Sequence, residues 1–292
     1  MTESPAELAE CPPAPTARVV QTSVSVDGIW LQTTTATPVA VTDSSPLVVT
    51  LGILATLDRF EVQRFQMLAD LLGRPVVALD TPGWSMGQAA LPRRVREQLS
   101  TGGFAWLARL QADALCGAHP RSCEQRPSVL GYSLGASSGS ALAVELADRS
   151  AELRGLTLVE PVALQRQNLA ELGWRNVSDA RHSGRYAAQS KGIDWAVAPT
   201  PPRTVPWIGL GHMVWAISRG GLPATLSTLP REVPIELISG GASSLSPPDR
   251  VAELARDLRK DGHTIATHLV PDAHHALWNS LPHVAAVAKH IL

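Results

Sequence analysis

The sequence predicts an α/β protein: one doubly wound, mostly parallel sheet of about eight strands, with a mainly helical cap. Three observations carry this. Short apolar runs alternate along the chain with segments of helical spacing, the order that builds a parallel sheet with helices on both faces. The alternation stops after Pro161 and resumes near Val233. One apolar run ends on Gly131-Tyr132-Ser133-Leu134-Gly135 and leads straight into an Ala-rich helical stretch.

Taken in order, residues 1–22 begin with Glu3, Glu7, Glu10 and several prolines, and read as a disordered tail. Residues 24–33 read as two short strands around Asp27-Gly28, a turn dipeptide. The runs LVVTL (47–51) and PVVAL (75–79) lack alternation, as expected of strands buried on both faces. Between them, 60–72 has helical spacing and stops at Gly73. A long helix is expected over 94–116, a strand over 127–131, a helix over 136–146 and a strand over 153–159. Residues 162–231 hold helical fragments, several Gly and Pro, and Trp174, Trp195, Trp207 and Trp215. They are expected to form a cap inserted into a core of 23–161 and 232–292. Strand, helix, strand and helix then follow at 233–238, 248–258, 264–270 and onward to Leu292.

The 292 residues are 45% apolar and 17% charged, with a net charge of −1. No long basic block favours nucleic acid, and no apolar run reaches the roughly 18 residues of a membrane span. Cytoplasmic placement follows as the default; assembly, including a homodimer, stays open. The Asn176-Val177-Ser178 sequon matters only in a glycosylating host. Cys11, Cys116 and Cys123 are odd in number and irregularly spaced, so there is no disulfide framework, and free thiols are expected over the conceivable Cys116–Cys123 pair. No HExxH, Walker loop or GxGxxG after the first strand is present, so no metal or organic cofactor is implied.

Ser133 is the sharpest chemical signal. A serine on a strained strand-to-helix turn projects its hydroxyl over the sheet edge, and glycines two residues either side make room. The following helix turns its free N–H groups toward the same place, where they can meet an oxyanion. On these residues the chain resembles the α/β-hydrolase superfamily over roughly 23–292. Three more segments match in order: LVVTLGIL (47–54), like the strand and oxyanion loop; VVALDTPGWSMG (76–87), like the strand and its Asp-x-Pro-Gly-x-x-x-Gly; and VPDAHHALWNSLP (270–282), like the segment bearing the catalytic histidine.

The resemblance implies His275 as the base for Ser133, with His274 standing where the family has glycine. It also places an acid near Ser243, which is neutral. Glu160, at the end of the strand after the Ser133 helix, is the preferred substitute; a Ser–His pair without an acid comes next, and Asp249 last. The oxyanion donors are expected to be the backbone N–H groups of Leu134 and Ile53. Tyr132, Trp84, His274 and Trp215 are expected to line an apolar pocket. The implied activity is hydrolysis of a carboxylic ester or thioester of a hydrophobic small molecule. The alternatives are a lyase or cyclase on the same fold, or a binding protein that keeps the pocket without turnover; fold alone does not choose among them.

Overall fold

The computed structural model describes residues 12–82, 91–149, 151–198 and 205–292. Eight strands form one sheet: β1 (Arg18–Val26), β2 (Ile29–Thr37), β3 (Leu47–Thr50), β4 (Val76–Leu79), β5 (Ser128–Tyr132), β6 (Gly155–Val159), β7 (Ile235–Gly240) and β8 (Ile265–Val270). Their spatial order is β1-β2-β4-β3-β5-β6-β7-β8. Only β2 runs against its neighbours β1 and β4; every other pair is parallel.

The helices follow in sequence: α1 (Arg59–Leu72), α2 (Arg93–Gly102), α3 (Ala105–Ala118), α4 (Pro120–Glu124), α5 (Leu134–Asp148), α6 (Leu169–Ala180), α7 (Ser183–Gln189), α8 (Trp207–Ser218), α9 (Leu222–Ser227), α10 (Pro248–Lys260) and α11 (Leu281–Ala288). Among the described residues, α6 to α9 all lie between β6 and β7.

The unbroken apolar runs have a direct cause. Successive side chains of a strand point to opposite faces, and here both faces are covered. Val48, Val77 and Val129 join one core with α3, α5 and α10. Their neighbours Leu47, Val49, Val76, Ala78 and Leu130 join a second core with α1 and α11. A fully buried side chain of this kind contributes roughly 1.5–3 kcal/mol.

Three expectations need correction. The first strand begins at Arg18, inside the stretch read as a tail, and pairs with β2 along its whole length from Arg18↔Thr37 to Val26↔Ile29. Its outer edge faces solvent, so it carries the polar sequence RVVQTSVSV and gives no apolar run to read. The long helix expected over 94–116 is instead α2 and α3, divided at Gly103, whose φ of 64° no helix interior accommodates. The thiols of Cys116 and Cys123 are joined in a disulfide, with Cα atoms 5.7 Å apart. Spacing alone did not show this, because the pairing depends on the chain turning at His119, where α3 ends and α4 begins. Cys11 lies outside the described residues.

The disulfide closes a loop of sequence separation 7. By loop entropy it removes about 2 kcal/mol of freedom from the unfolded chain. Urea unfolding with and without reductant should differ by about that amount; coincident curves would contradict the pairing.

Candidate active site

Ser133 lies between β5 and α5 with φ 57° and ψ −121°, a region L-residues rarely occupy. Two glycines allow it. A Cβ on Gly131 would stand 2.3 Å from the Gly135 carbonyl oxygen, and one on Gly135 would stand 2.3 Å from that of Thr50. Thr50 strengthens the approach by donating from Oγ1 to the Gly135 carbonyl at 2.7 Å. Leu134 is the first residue of α5, so its N–H has no intrahelical acceptor.

His275 opens a 3₁₀ turn (His275–Asn279) in the loop after β8. Its Nε2 is 2.7 Å from Ser133 Oγ, and its Nδ1 is 2.9 Å from Glu160 Oε2. An ionised carboxylate only accepts, so this pairing requires the proton on Nδ1 and leaves the Nε2 lone pair to accept from the serine hydroxyl. Glu160 directly follows β6, has φ 51° and is fully buried. Its Oε2 also accepts from Ser243 Oγ at 2.6 Å, and its Oε1 accepts from the Gly240 N–H. Ser243, the neutral residue where the resemblance expects an acid, is thus a donor to the acid that is present.

Ser133, His275 and Glu160 are therefore brought together in one hydrogen-bonded line. Asp249 is not part of it: it sits in the first turn of α10 with its side chain 79% exposed, beside Arg250. Of the places weighed for an acid, only Glu160 lies within hydrogen-bond distance of His275 Nδ1.

Arg64 and Asp179 are among the side chains that hold the histidine loop in place. Arg64, on the inner face of α1, is 1% exposed. It donates to the carbonyls of Trp278 (2.9 Å), Phe60 (2.8 Å) and Asn279 (3.2 Å), two of them in the turn that carries His275. Burial pulls its pKa down to about 10, which leaves it charged at neutral pH. Asp179, near the end of α6, accepts through Oδ2 from Ser244 N–H (3.0 Å), Ser244 Oγ (2.7 Å) and Leu245 N–H (2.9 Å). Its Oδ1 accepts from the His275 N–H at 3.4 Å. One carboxylate thus ties α6 to the loop holding Ser243 and to the loop holding His275. Neither role was read from the sequence. The signal for Arg64 was available, since it lies on the apolar stripe with Phe60 and Leu68; Asp179 left none.

A cleft of about 380 Å³ opens on Ser133 and His275, and Gly52, Ile53 and Leu54 border it. Tyr132 also lines it; its hydroxyl donates to the His275 carbonyl at 2.8 Å, and its ring stacks on Trp278. Burial, with Glu160 nearby, pushes the Tyr132 hydroxyl well above its ordinary pKa, so it stays a donor. The other pocket expectations need correction. His274 turns away: its Nδ1 lies 2.9 Å from the Ala242 carbonyl and its ring stacks on His182. Trp215, on α8, is 47% exposed and does not border the cleft, nor do Trp174, Trp195 and Trp207. Trp84 lies outside the described residues. Asn176 of the sequon borders the cleft. Among the described residues, no group of three or more His, Cys, Asp or Glu could hold a metal, and no helix is long and apolar enough to cross a membrane.

No protein-family model and no curated protein matches the chain. Solved structures do. An arylesterase shares 14% identity at a TM-score of 0.59, over 97% of this chain and 86% of its own. An esterase of Pyrobaculum calidifontis gives 15% and 0.59 over the same shares. The thioesterase domain from the curacin biosynthetic pathway gives 15% and 0.57, over 94% of this chain and 99% of its own. With the strand order described above, these show that the chain has the α/β-hydrolase fold.

Arg64→Met should remove three donors from buried carbonyls and lower unfolding free energy by at least about 2 kcal/mol, since each orphaned group costs roughly 1–3 kcal/mol. Urea denaturation reads this directly; an unchanged midpoint would contradict the role given to Arg64.

Proposed function

We propose that the protein is a serine hydrolase acting on a carboxylic ester or thioester of a small molecule. The observation that supports this most is the continuous line from Ser133 Oγ through His275 to Glu160, with contacts of 2.7 and 2.9 Å. The esterases and the thioesterase domain among the structural relatives agree with it at the level of fold.

A serine hydroxyl is a weak nucleophile at neutral pH and needs an adjacent base. In this reading Ser133 Oγ attacks the carbonyl carbon while its proton passes to His275 Nε2. Glu160 keeps the ring in the tautomer that can accept the proton and stabilises the imidazolium that results. The carbonyl oxygen becomes an oxyanion, held by the N–H groups of Leu134 and Ile53. Collapse breaks the bond to the alcohol or thiol, which leaves with the proton from His275. Water then repeats the sequence on the acyl-serine: it gives its proton to His275, and the released acid frees Ser133. No step draws on a metal or an organic cofactor.

Residues 162–231 act as the cap in this scheme. α6 brings Asp179 over the cleft and ties it to both catalytic loops. The substrate reading is narrower than the sequence suggested, because Trp174, Trp195, Trp207 and Trp215 do not border the cleft.

Hydrolysis of p-nitrophenyl acetate tests the triad. Ser133→Ala and His275→Ala should each lower kcat by about 10⁶-fold, and Glu160→Gln by about 10⁴-fold, the scale of such losses in serine triads. Full activity in Glu160→Gln would remove the carboxylate from the mechanism. Full activity in Ser133→Ala would end the proposal.

A further inference from the structure

The groups in the cleft that hydrolysis does not use are acidic. Asp58, Glu61 and Asp179 border it together with Ser133 and His275, and no lysine or arginine does so among the described residues. Two of the three carboxylates have evident work within the fold. Asp179 takes four hydrogen bonds from two loops. Asp58 caps α1, accepting from the Glu61 N–H at 3.1 Å.

Glu61 is different. It stands in the first turn of α1 and is only 7% exposed. Among the described residues, its carboxylate accepts one hydrogen bond, from Trp278 Nε1 to Oε2, and that bond is long, at 3.4 Å. Oε1 receives no hydrogen bond from the described residues. Arg64 is close enough to be felt, but each of its three nitrogens donates to a backbone carbonyl and none donates to Glu61. A largely buried carboxylate with so few donors is costly unless water or a ligand in the cleft supplies them. Burial pushes the Glu61 carboxyl above its ordinary range, the direction expected when that donor is missing.

We infer that Glu61 is the anchor for an amine: the cleft takes an ester or thioester that also carries a protonated amino group, which donates to Glu61 Oε1. A neutral hydroxyl could fill the hydrogen bond but would gain nothing from Asp58 and Asp179 beside it. A substrate bearing a free carboxylate would be repelled by all three. The inference rests on the hydrolase reading for its chemistry, while amine binding itself can be measured without turnover.

The test compares p-nitrophenyl esters of glycine, β-alanine and 6-aminohexanoate with their uncharged counterparts, the propanoate, butanoate and heptanoate, each corrected for its rate in buffer. At one chain length or more, kcat/KM for the amino ester should exceed that of its counterpart by about tenfold or better, the scale of one charge-assisted hydrogen bond. In Glu61→Gln that ratio should fall to near one. A native ratio at or below one at every length overturns the inference, and so does an unchanged ratio in Glu61→Gln. The native ratios need no variant, so the idea can fail even if Glu61→Gln does not fold. If no ester is turned over, the hydrolase reading fails, and calorimetry with n-hexylammonium chloride against 1-hexanol decides on Glu61 alone. Ammonium binding at least tenfold weaker in Glu61→Gln supports the anchor; equal binding, or none to the native protein, overturns it.

Discussion

The close approach of α5 to the sheet is the constraint on which the site depends. Three glycines make it possible. A Cβ at Gly131 or Gly135 would lie 2.3 Å from a backbone oxygen, and one at Gly139 would lie 2.6 Å from Thr50 Oγ1. With the helix this near, the chain must turn sharply between β5 and α5, and Ser133 takes the positive φ that results. Such a conformation costs about 1–3 kcal/mol and persists only where its surroundings fix it. Here they do: Leu134, Ala136, Leu142, Ala143 and Leu146 are fully buried along the helix that follows. Core packing thus holds the serine hydroxyl at the sheet edge before any ligand arrives.

The partners of that hydroxyl come from the ends of other strands. Glu160 follows β6 and His275 follows β8, so the parallel sheet sets their spacing. Glu160 does not depend on the histidine for its position. The Gly240 N–H and the Ser243 hydroxyl fix it from the loop after β7. That loop is in turn tied to α6 by Asp179, and the histidine turn is tied to α1 by Arg64. The relative positions of Glu160 and His275 therefore depend on four separate segments of chain, each joined by hydrogen bonds to buried or half-buried groups.

How much was legible in the sequence follows from what each feature depends on. The inner strands were readable because burial on both faces leaves no polar residue in LVVT or VVAL. The β1 edge was hidden because a half-exposed strand needs no apolar run. Ser133 and its glycines were readable because steric demands confine them to particular residue types at fixed spacing, whereas His275 was reached only through the family resemblance. The acid was legible only as a choice among places, since the contact of Glu160 with Ser243 joins residues 83 positions apart. The pocket was the least legible. Abundant tryptophan in 162–231 suggested an apolar lining, yet those side chains lie elsewhere, and acidic residues of α1 and α6 border the cleft. Which way a side chain faces on a short helix depends on tertiary packing that local composition does not encode.

The central claim is that the hydroxyl at 133 is the activated nucleophile. Covalent trapping addresses it most directly. The folded protein is treated with diisopropyl fluorophosphate and digested, and the peptides are weighed by mass spectrometry. One phosphoryl adduct per chain is expected, on Ser133, and it should disappear when the protein is unfolded before treatment. A folded protein that stays unlabelled, or one labelled at another residue while Ser133 remains free, would contradict it.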